Sequence, residues 1–167
     1  MDIALVGGYK NGWLPFNEVE VIKISDEGVV STANWQLPEL QVNLAQVSND
    51  LICGGTISSR ATNKCKWLNP EGLEWEERCP MIKKRYYHAM TTANNRTRYV
   101  CGGLDESATK LKSCEKLSEK WSFIQDLPMP LESSCMIGTD DFLYLMGGLY
   151  PTYKGIYPEY ASEVSES

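Results

Sequence analysis

Leu51-Ile52-Cys53-Gly54-Gly55 returns 48 residues later as Tyr99-Val100-Cys101-Gly102-Gly103, and this recurrence decides the fold. The same kind of apolar run ending in paired glycines also occurs at Ile3-Ala4-Leu5-Val6-Gly7-Gly8 and at Phe142-Leu143-Tyr144-Leu145-Met146-Gly147-Gly148, so that the spacings are 47, 48 and 45 residues. Periods of this size mark stacked supersecondary units. Each run is too short for a helix and rich enough in β-branched or aromatic residues for a buried strand.

Between consecutive glycine pairs the same features return in the same order. A polar loop follows the glycines, then a strand-like run (residues 19–24, 64–68 and 111–117), a turn, a tryptophan (Trp35, Trp75, Trp121), a proline (Pro38, Pro80, Pro128) and a further apolar stretch leading back to glycine. That is four strands per unit. A four-stranded sheet has two faces to bury and two edges to protect, so copies stack face to face around an axis as the blades of a propeller. The tryptophan supplies an apolar plate between neighbouring blades, which is the role expected of Trp75. The fold class is therefore all-β, a partial β-propeller of about three blades, incomplete at both ends. The propeller segment is expected to span residues 1–148, in units of about 7–53, 54–101 and 102–146. Residues 149–167 form an incomplete blade or a frayed tail, with a short strand at 159–164.

These marks resemble the kelch repeat. The resemblance is carried by Cys53-Gly54-Gly55, by Trp75, and by Pro80-Met81 with Arg85, His88 and Ala89, and it extends from Ile3 to Gly148. There are departures: the first unit has Leu37-Pro38-Glu39 in place of the Met-Pro segment, and the third has Leu131 and Glu132 where the second has Lys83 and Lys84, with no arginine near Ser134. The resemblance implies kelch-type blades and a protein-interaction module, with actin or a substrate of a cullin ubiquitin ligase among the partners. Many kelch proteins that act as ligase adaptors carry a BTB-type domain, and none is encoded in these 167 residues.

Composition bounds the function. With 43% hydrophobic and 23% charged residues the chain reads as a soluble globular protein, and a net charge of −6 disfavours nucleic acid and anionic membrane as partners. No run approaches the roughly 18 apolar residues of a membrane helix, and no signal peptide is evident, so a cytoplasmic location is expected. Of the six cysteines, Cys53 and Cys101 precede glycine pairs, and Cys65 and Cys114 sit in the apolar runs that follow. Cysteine that tracks the repeat reads as a small buried side chain, with free thiols expected; zinc and disulfide bridges are the alternatives. The sequon Asn95-Arg96-Thr97 matters only in a secreted chain.

Catalysis finds little support. His88, the one histidine, falls where the kelch pattern has histidine; no second histidine or serine elbow accompanies it, so it reads as structural. Asp140-Asp141, Asn94-Asn95 and Asn49-Asp50 sit between strands and read as hairpin turns. The chain is expected not to be an enzyme and to need no cofactor or metal. A remnant of a longer kelch protein without independent function is the second reading, and a propeller-type enzyme the third.

In a four-stranded meander, the connections after the second and fourth strands share one face, and loops on a rigid scaffold are where recognition sits. Those connections are residues 9–18, 56–63 and 104–110 after the glycines, and 39–43, 82–87 and 130–134 between blades. The candidate partner-binding residues on them are Tyr9, Lys10, Trp13, Ser58, Ser59, Arg60, Lys83, Lys84, Arg85 and Tyr86, for a protein or peptide ligand. Arg85 has a second reading, as a brace at the blade junction. Exposed apolar sheet at the two ends makes self-association to close the propeller a further expectation.

Overall fold

The structure is a computed structural model that describes residues 2–10, 14–26, 28–37, 39–47, 51–69, 74–93 and 97–150. The described residues are all-β, without a helix, in antiparallel sheets of two to four strands. Among them, accordingly, no helix is long and apolar enough to cross a membrane.

The first sheet departs from the expected pattern. Strand β1 (Asp2–Lys10) runs straight through Gly7-Gly8 and pairs with β2 (Leu14–Ser25), which pairs with β3 (Gly28–Gln36). Where a polar loop is expected over residues 9–18, residues 9–10 and 14–18 are strand, with Tyr9 opposite Pro15 and Lys10 opposite Leu14. The physical reason lies in the register shift between Val6 and Gly8, a bulge that absorbs the glycines so that pairing continues beyond them.

Strand β4 (Gln41–Val42) leads into β5 (Ala45–Val47) and β6 (Leu51–Cys53), then β7 (Thr56–Ile57), β8 (Arg60–Ala61), β9 (Cys65–Asn69) and β10 (Glu74–Arg78). Strands β5, β6, β9 and β10 form one four-stranded blade in consecutive order, while β4, β7 and β8 form a small sheet beside it. The next blade is β11 (Ala89–Ala93), β12 (Thr97–Cys101), β13 (Cys114–Leu117) and β14 (Trp121–Phe123). A hairpin of β15 (Cys135–Gly138) and β16 (Leu143–Met146) follows. Asp140-Asp141 forms its turn, closed by the Thr139 amide donating to the Phe142 carbonyl (2.9 Å). The turns expected at residues 49–50 and 94–95 and the strand at 159–164 lie outside the described residues.

Blades stack face to face, each through side chains of alternating strand positions. Ala45, Leu51, Cys53 and Cys65 of one blade are buried against Met90, Val100 and Trp121 of the next. Ala89, Cys101 and Cys114 of that blade are buried in turn against Met136 and Leu145. Trp121 is the interblade plate, 6% exposed, with its indole nitrogen donating to the Cys79 carbonyl (2.9 Å). Trp75 stands against the pair of Leu37 and Ile52 at the preceding junction and is less completely covered.

The cysteines overturn the free-thiol expectation. Cys53 is bonded to Cys65 and Cys101 to Cys114, with Cα atoms 4.1 and 4.2 Å apart. Each pair lies directly across neighbouring strands, β6 against β9 and β12 against β13. Burial and repetition alone do not say that two cysteines are opposite one another; strand register does, and it brings the Cα atoms close enough for a bridge. Cys79 and Cys135 are unbonded and exposed.

Candidate functional site

The connections after the second and fourth strands do meet on one face, and backbone hydrogen bonds join them. After β6, residues 54–64 carry the β7–β8 hairpin; after β10, residues 79–88 return beneath it, the Met81 amide donating to the Asn63 carbonyl and the Arg85 amide to the Thr62 carbonyl (2.9 and 3.1 Å). The arrangement repeats: Val42 pairs with Thr56, Tyr86 with Leu104, and Glu132 with Leu149. Following each of these, Asn43, Tyr87 and Ser133 all adopt left-handed backbone, with φ of 55°, 53° and 57°. Tyr87 N–H donates to the Asn43 carbonyl (3.2 Å), and Ser133 N–H to the Tyr87 carbonyl (2.8 Å). This ladder fixes three successive interblade loops to one another.

The glycine pairs make the close approach possible. At Gly54, with φ of 66°, a Cβ would lie 2.5 Å from His88 Cε1 and 2.6 Å from the Arg85 carbonyl oxygen; at Gly103, with φ of 89°, it would lie 2.7 Å from the Tyr86 carbonyl oxygen. His88 is thus wedged between the glycines of two blades. Burial first, and then the charge of neighbouring Arg85, push the pKa of its imidazole down to about 3, so the ring stays neutral.

Arg85 takes the brace position. Its guanidinium is wholly buried and donates to the carbonyls of Gly102 (2.7 Å) and Ser113 (3.0 Å), to Ser113 Oγ (3.3 Å) and to Glu115 Oε1 (2.7 Å). Burial pulls its pKa below the ordinary arginine value, against the opposing pull of the Glu115 charge. Glu115, equally buried, also accepts from the amides of Ile82 (2.7 Å) and Lys83 (3.1 Å), fastening the interblade loop to the middle of the next blade. The Arg85 side chain is therefore placed where a ligand does not reach it, because it replaces solvent at the junction.

The same position recurs in other chemistry. The residue before each bridge to the glycine loop is Gln41, Arg85 and then Leu131, all buried; Gln41 donates to the Gly54 carbonyl as Arg85 does to that of Gly102. Leu131 therefore stands at the register of Arg85 and Glu132 at that of Tyr86, correcting the alignment with Lys83 and Lys84. Counting from the proline misplaces them because Pro128 stands seven residues after its tryptophan and Pro80 only five, whereas Arg85 and Leu131 each stand ten residues after theirs. Lys66 and Glu115 likewise share a register, each following a bridged cysteine, and the charges are reversed: buried Lys66 pairs with Glu39 at 2.6 Å. That pair, with Lys64 adding a second bond, holds the Glu39 carboxyl below its usual value, against desolvation.

Ser58 and Ser59 form the exposed tip of the β7–β8 hairpin, in left-handed backbone, and Arg60 is exposed beside them. Lys83 and Lys84 are exposed, with Lys84 paired to Glu106 at 2.9 Å across the loops. Tyr86 is half-buried, its ring 5.3 Å from that of exposed Tyr87, a surface residue that the sequence reading missed. Asp105 orders the neighbouring loop by accepting from the amides of Ser107 and Thr109 (2.8 and 3.0 Å). Tyr9 and Lys10 belong to β1, apart from these loops in sheet order, and Trp13 lies outside the described residues. Among the described residues no group of three or more histidine, cysteine or carboxylate side chains is placed to hold a metal.

No family model matches the sequence. Kelch repeat and BTB domain-containing protein 2 of cowpox virus (strain Brighton Red) is 27% identical over 153 residues, covering 87% of this chain and 27% of its own. Kelch-like protein 23 of Mus musculus is 26% identical over 159 residues, 90% of this chain and 27% of its own. Several curated relatives are kelch-repeat proteins. Beta-scruin of Limulus polyphemus is 27% identical over 93 residues, 54% of this chain and 10% of its own. The chain spans about a quarter of the length of the kelch relatives it matches most extensively. The stacked blades, glycine loops and interblade ladder are the physical form of that kelch-repeat similarity.

Proposed function

We propose that the chain is a non-catalytic protein-interaction module of kelch type, which holds an acidic segment of a partner protein on the face formed by the glycine loops and interblade loops. The observation that carries the reading is the ladder from Asn43 through Tyr87 to Ser133, which makes one rigid platform of loops that are distant in sequence. Rigidity matters because loops already ordered do not lose that freedom on binding. On this platform Arg60 and Lys83 offer cations, Ser58 and Ser59 offer hydroxyls, and Tyr86 with Tyr87 offers an aromatic surface. No cofactor enters the reading, and nucleic acid is disfavoured by the net charge of −6.

A ubiquitin-ligase substrate or actin is the finer reading of the partner, carried over from the kelch resemblance. We also read the location as cytoplasmic, on the composition of the chain. Disulfides are rare in that compartment, so the reading requires burial to shield the two bridges, whose sulfurs belong to residues at most 4% exposed. Alkylation-trapped protein from cytoplasm settles this by its thiol count.

The test of function is an array of acidic, neutral and basic peptides probed with the purified chain. Binding confined to acidic peptides and abolished by Arg60→Glu with Lys83→Glu supports the platform. Indifference to that double reversal removes the charged-ligand reading, and no binding to any peptide favours a remnant without independent function.

A further inference from the structure

The hairpin of β15 and β16 buries one face and leaves the other bare. Met136 and Leu145 point into the preceding blade, while on the opposite face Cys135, Ile137, Phe142, Tyr144 and Met146 are exposed, four of them between 43% and 52%. Cys135 is paired with Met146 and Ile137 with Tyr144, so these side chains form adjoining rows rather than scattered apolar residues. Phe142 extends the patch, its ring 6.1 Å from that of Tyr144. A contiguous apolar face of this kind marks an interface.

The register of the molecule says what fits there. Cys135 opposite Met146 occupies the place of Ala89 opposite Cys101 and of Ala45 opposite Cys53. Two residues earlier, Tyr144 matches Tyr99 and Leu51. In both earlier blades this face is covered by the next blade, through Met90 and Val100 in one case and Met136 and Leu145 in the other. Val100 and Leu145 each stand two residues before a glycine pair. In the sequence the same place before Gly7-Gly8 is held by Leu5, within β1.

We propose that the bare face of β15 and β16 is a self-association surface that takes the first sheet, β1 to β3, of a second copy of this chain, continuing between molecules the stacking that joins blades within one. The contact is head to tail, so a dimer closes only if the rotation from copy to copy returns to its start, and longer assemblies form otherwise. This goes beyond the proposed ligand platform, which uses a different part of each blade.

Two measurements on the full chain test it. Sedimentation equilibrium across the micromolar range should give a mass rising with concentration from 18.8 kDa to at least twice that value, and Tyr144→Lys should hold the chain at 18.8 kDa. Tyr144 is exposed, so the variant keeps its own packing, and circular dichroism with peptide binding checks that its platform is intact. Cys135 supplies a local probe, with exposed Cys79 as internal control. Alkylation of Cys135, and not of Cys79, should slow roughly tenfold once nine in ten of these faces are covered, because only the uncovered fraction reacts. A monomer with Cys135 reactive at every concentration overturns the proposal. So does a monomer with Cys135 always protected, which would assign the cover to the chain's own remaining residues. Association that survives Tyr144→Lys places the interface elsewhere and overturns it as well.

Discussion

Replacing Arg85 with leucine removes four donated hydrogen bonds and leaves Glu115 buried with its negative charge uncompensated. Removing one partner of a buried ion pair costs about 3–5 kcal/mol, and neither residue here is exposed. Two amides continue to donate to Glu115, which puts the expected loss at the lower end, about 3 kcal/mol. With a urea dependence of about 2 kcal/mol/M, the denaturation midpoint falls by roughly 1.5 M. Tryptophan fluorescence reads this directly, since Trp121 is packed in the core at the same junction. The second arm is Arg85→Leu combined with Glu115→Leu. An apolar residue already fills the matching position in the third unit, at Leu131, so the double variant should recover part of the loss, as paired apolar replacements of buried ion pairs do. A single variant within about 0.5 kcal/mol of the parent would refute the brace, being the size of an ordinary surface change. A double variant as unstable as the sum of the two singles would refute the coupling.

Trp121→Ala should cost about 3–5 kcal/mol by the same denaturation assay, and Trp75→Ala less, because Trp121 is the more completely buried plate; the reverse order would place the blade junctions wrongly. Thiol titration in denaturant without reductant should find two free thiols, Cys79 and Cys135, against six if neither bridge forms. Replacing the cysteines of one bridge by alanine should lower stability by about 3 kcal/mol, the effect of a loop of this length. His88 gives a pH dependence: folded, its imidazole titrates at about 3, while unfolded it takes a proton below about 6.5. Its contribution is complete above pH 6.5 and is lost as pH falls from there toward 3, at up to about 1.4 kcal/mol per pH unit. Stability measured from pH 7 to pH 4 should fall less steeply in His88→Asn, and an unchanged slope would mean that the ring is not held neutral by burial.

The loops that make the platform are legible in the sequence. The meander argument places the loops after second and fourth strands on one face, and Ser58, Ser59, Arg60, Lys83, Lys84 and Tyr86 are indeed found on those loops. The sequence allows Arg85 two roles, and its direction into the junction depends on Gly102, Ser113 and Glu115, which lie 17 to 30 residues away. A signal for Glu115 is present in the sequence: charged Lys66 and Glu115 each follow a cysteine at the same place in the repeat. The ladder of Asn43, Tyr87 and Ser133 had no such signal, because a backbone bond between loops imposes no side chain, and three different residues occupy its left-handed positions.

What the sequence by itself determined is what repeats locally: the glycine pairs, the strand runs between them and the tryptophan of each unit, and hence an all-β chain of stacked blades. A period can be read from one chain because every unit must satisfy the same short-range demands of turn and strand. Tertiary structure alone decided what each strand faces. It set Cys53 opposite Cys65 and Cys101 opposite Cys114, carried β1 through Gly7-Gly8 as strand, and put Leu131 in the place of Arg85. The reason is register: side chains alternate with a period of two, so a slip of one residue, too small to disturb a repeat of 45 to 48, moves every side chain to the other face of its sheet.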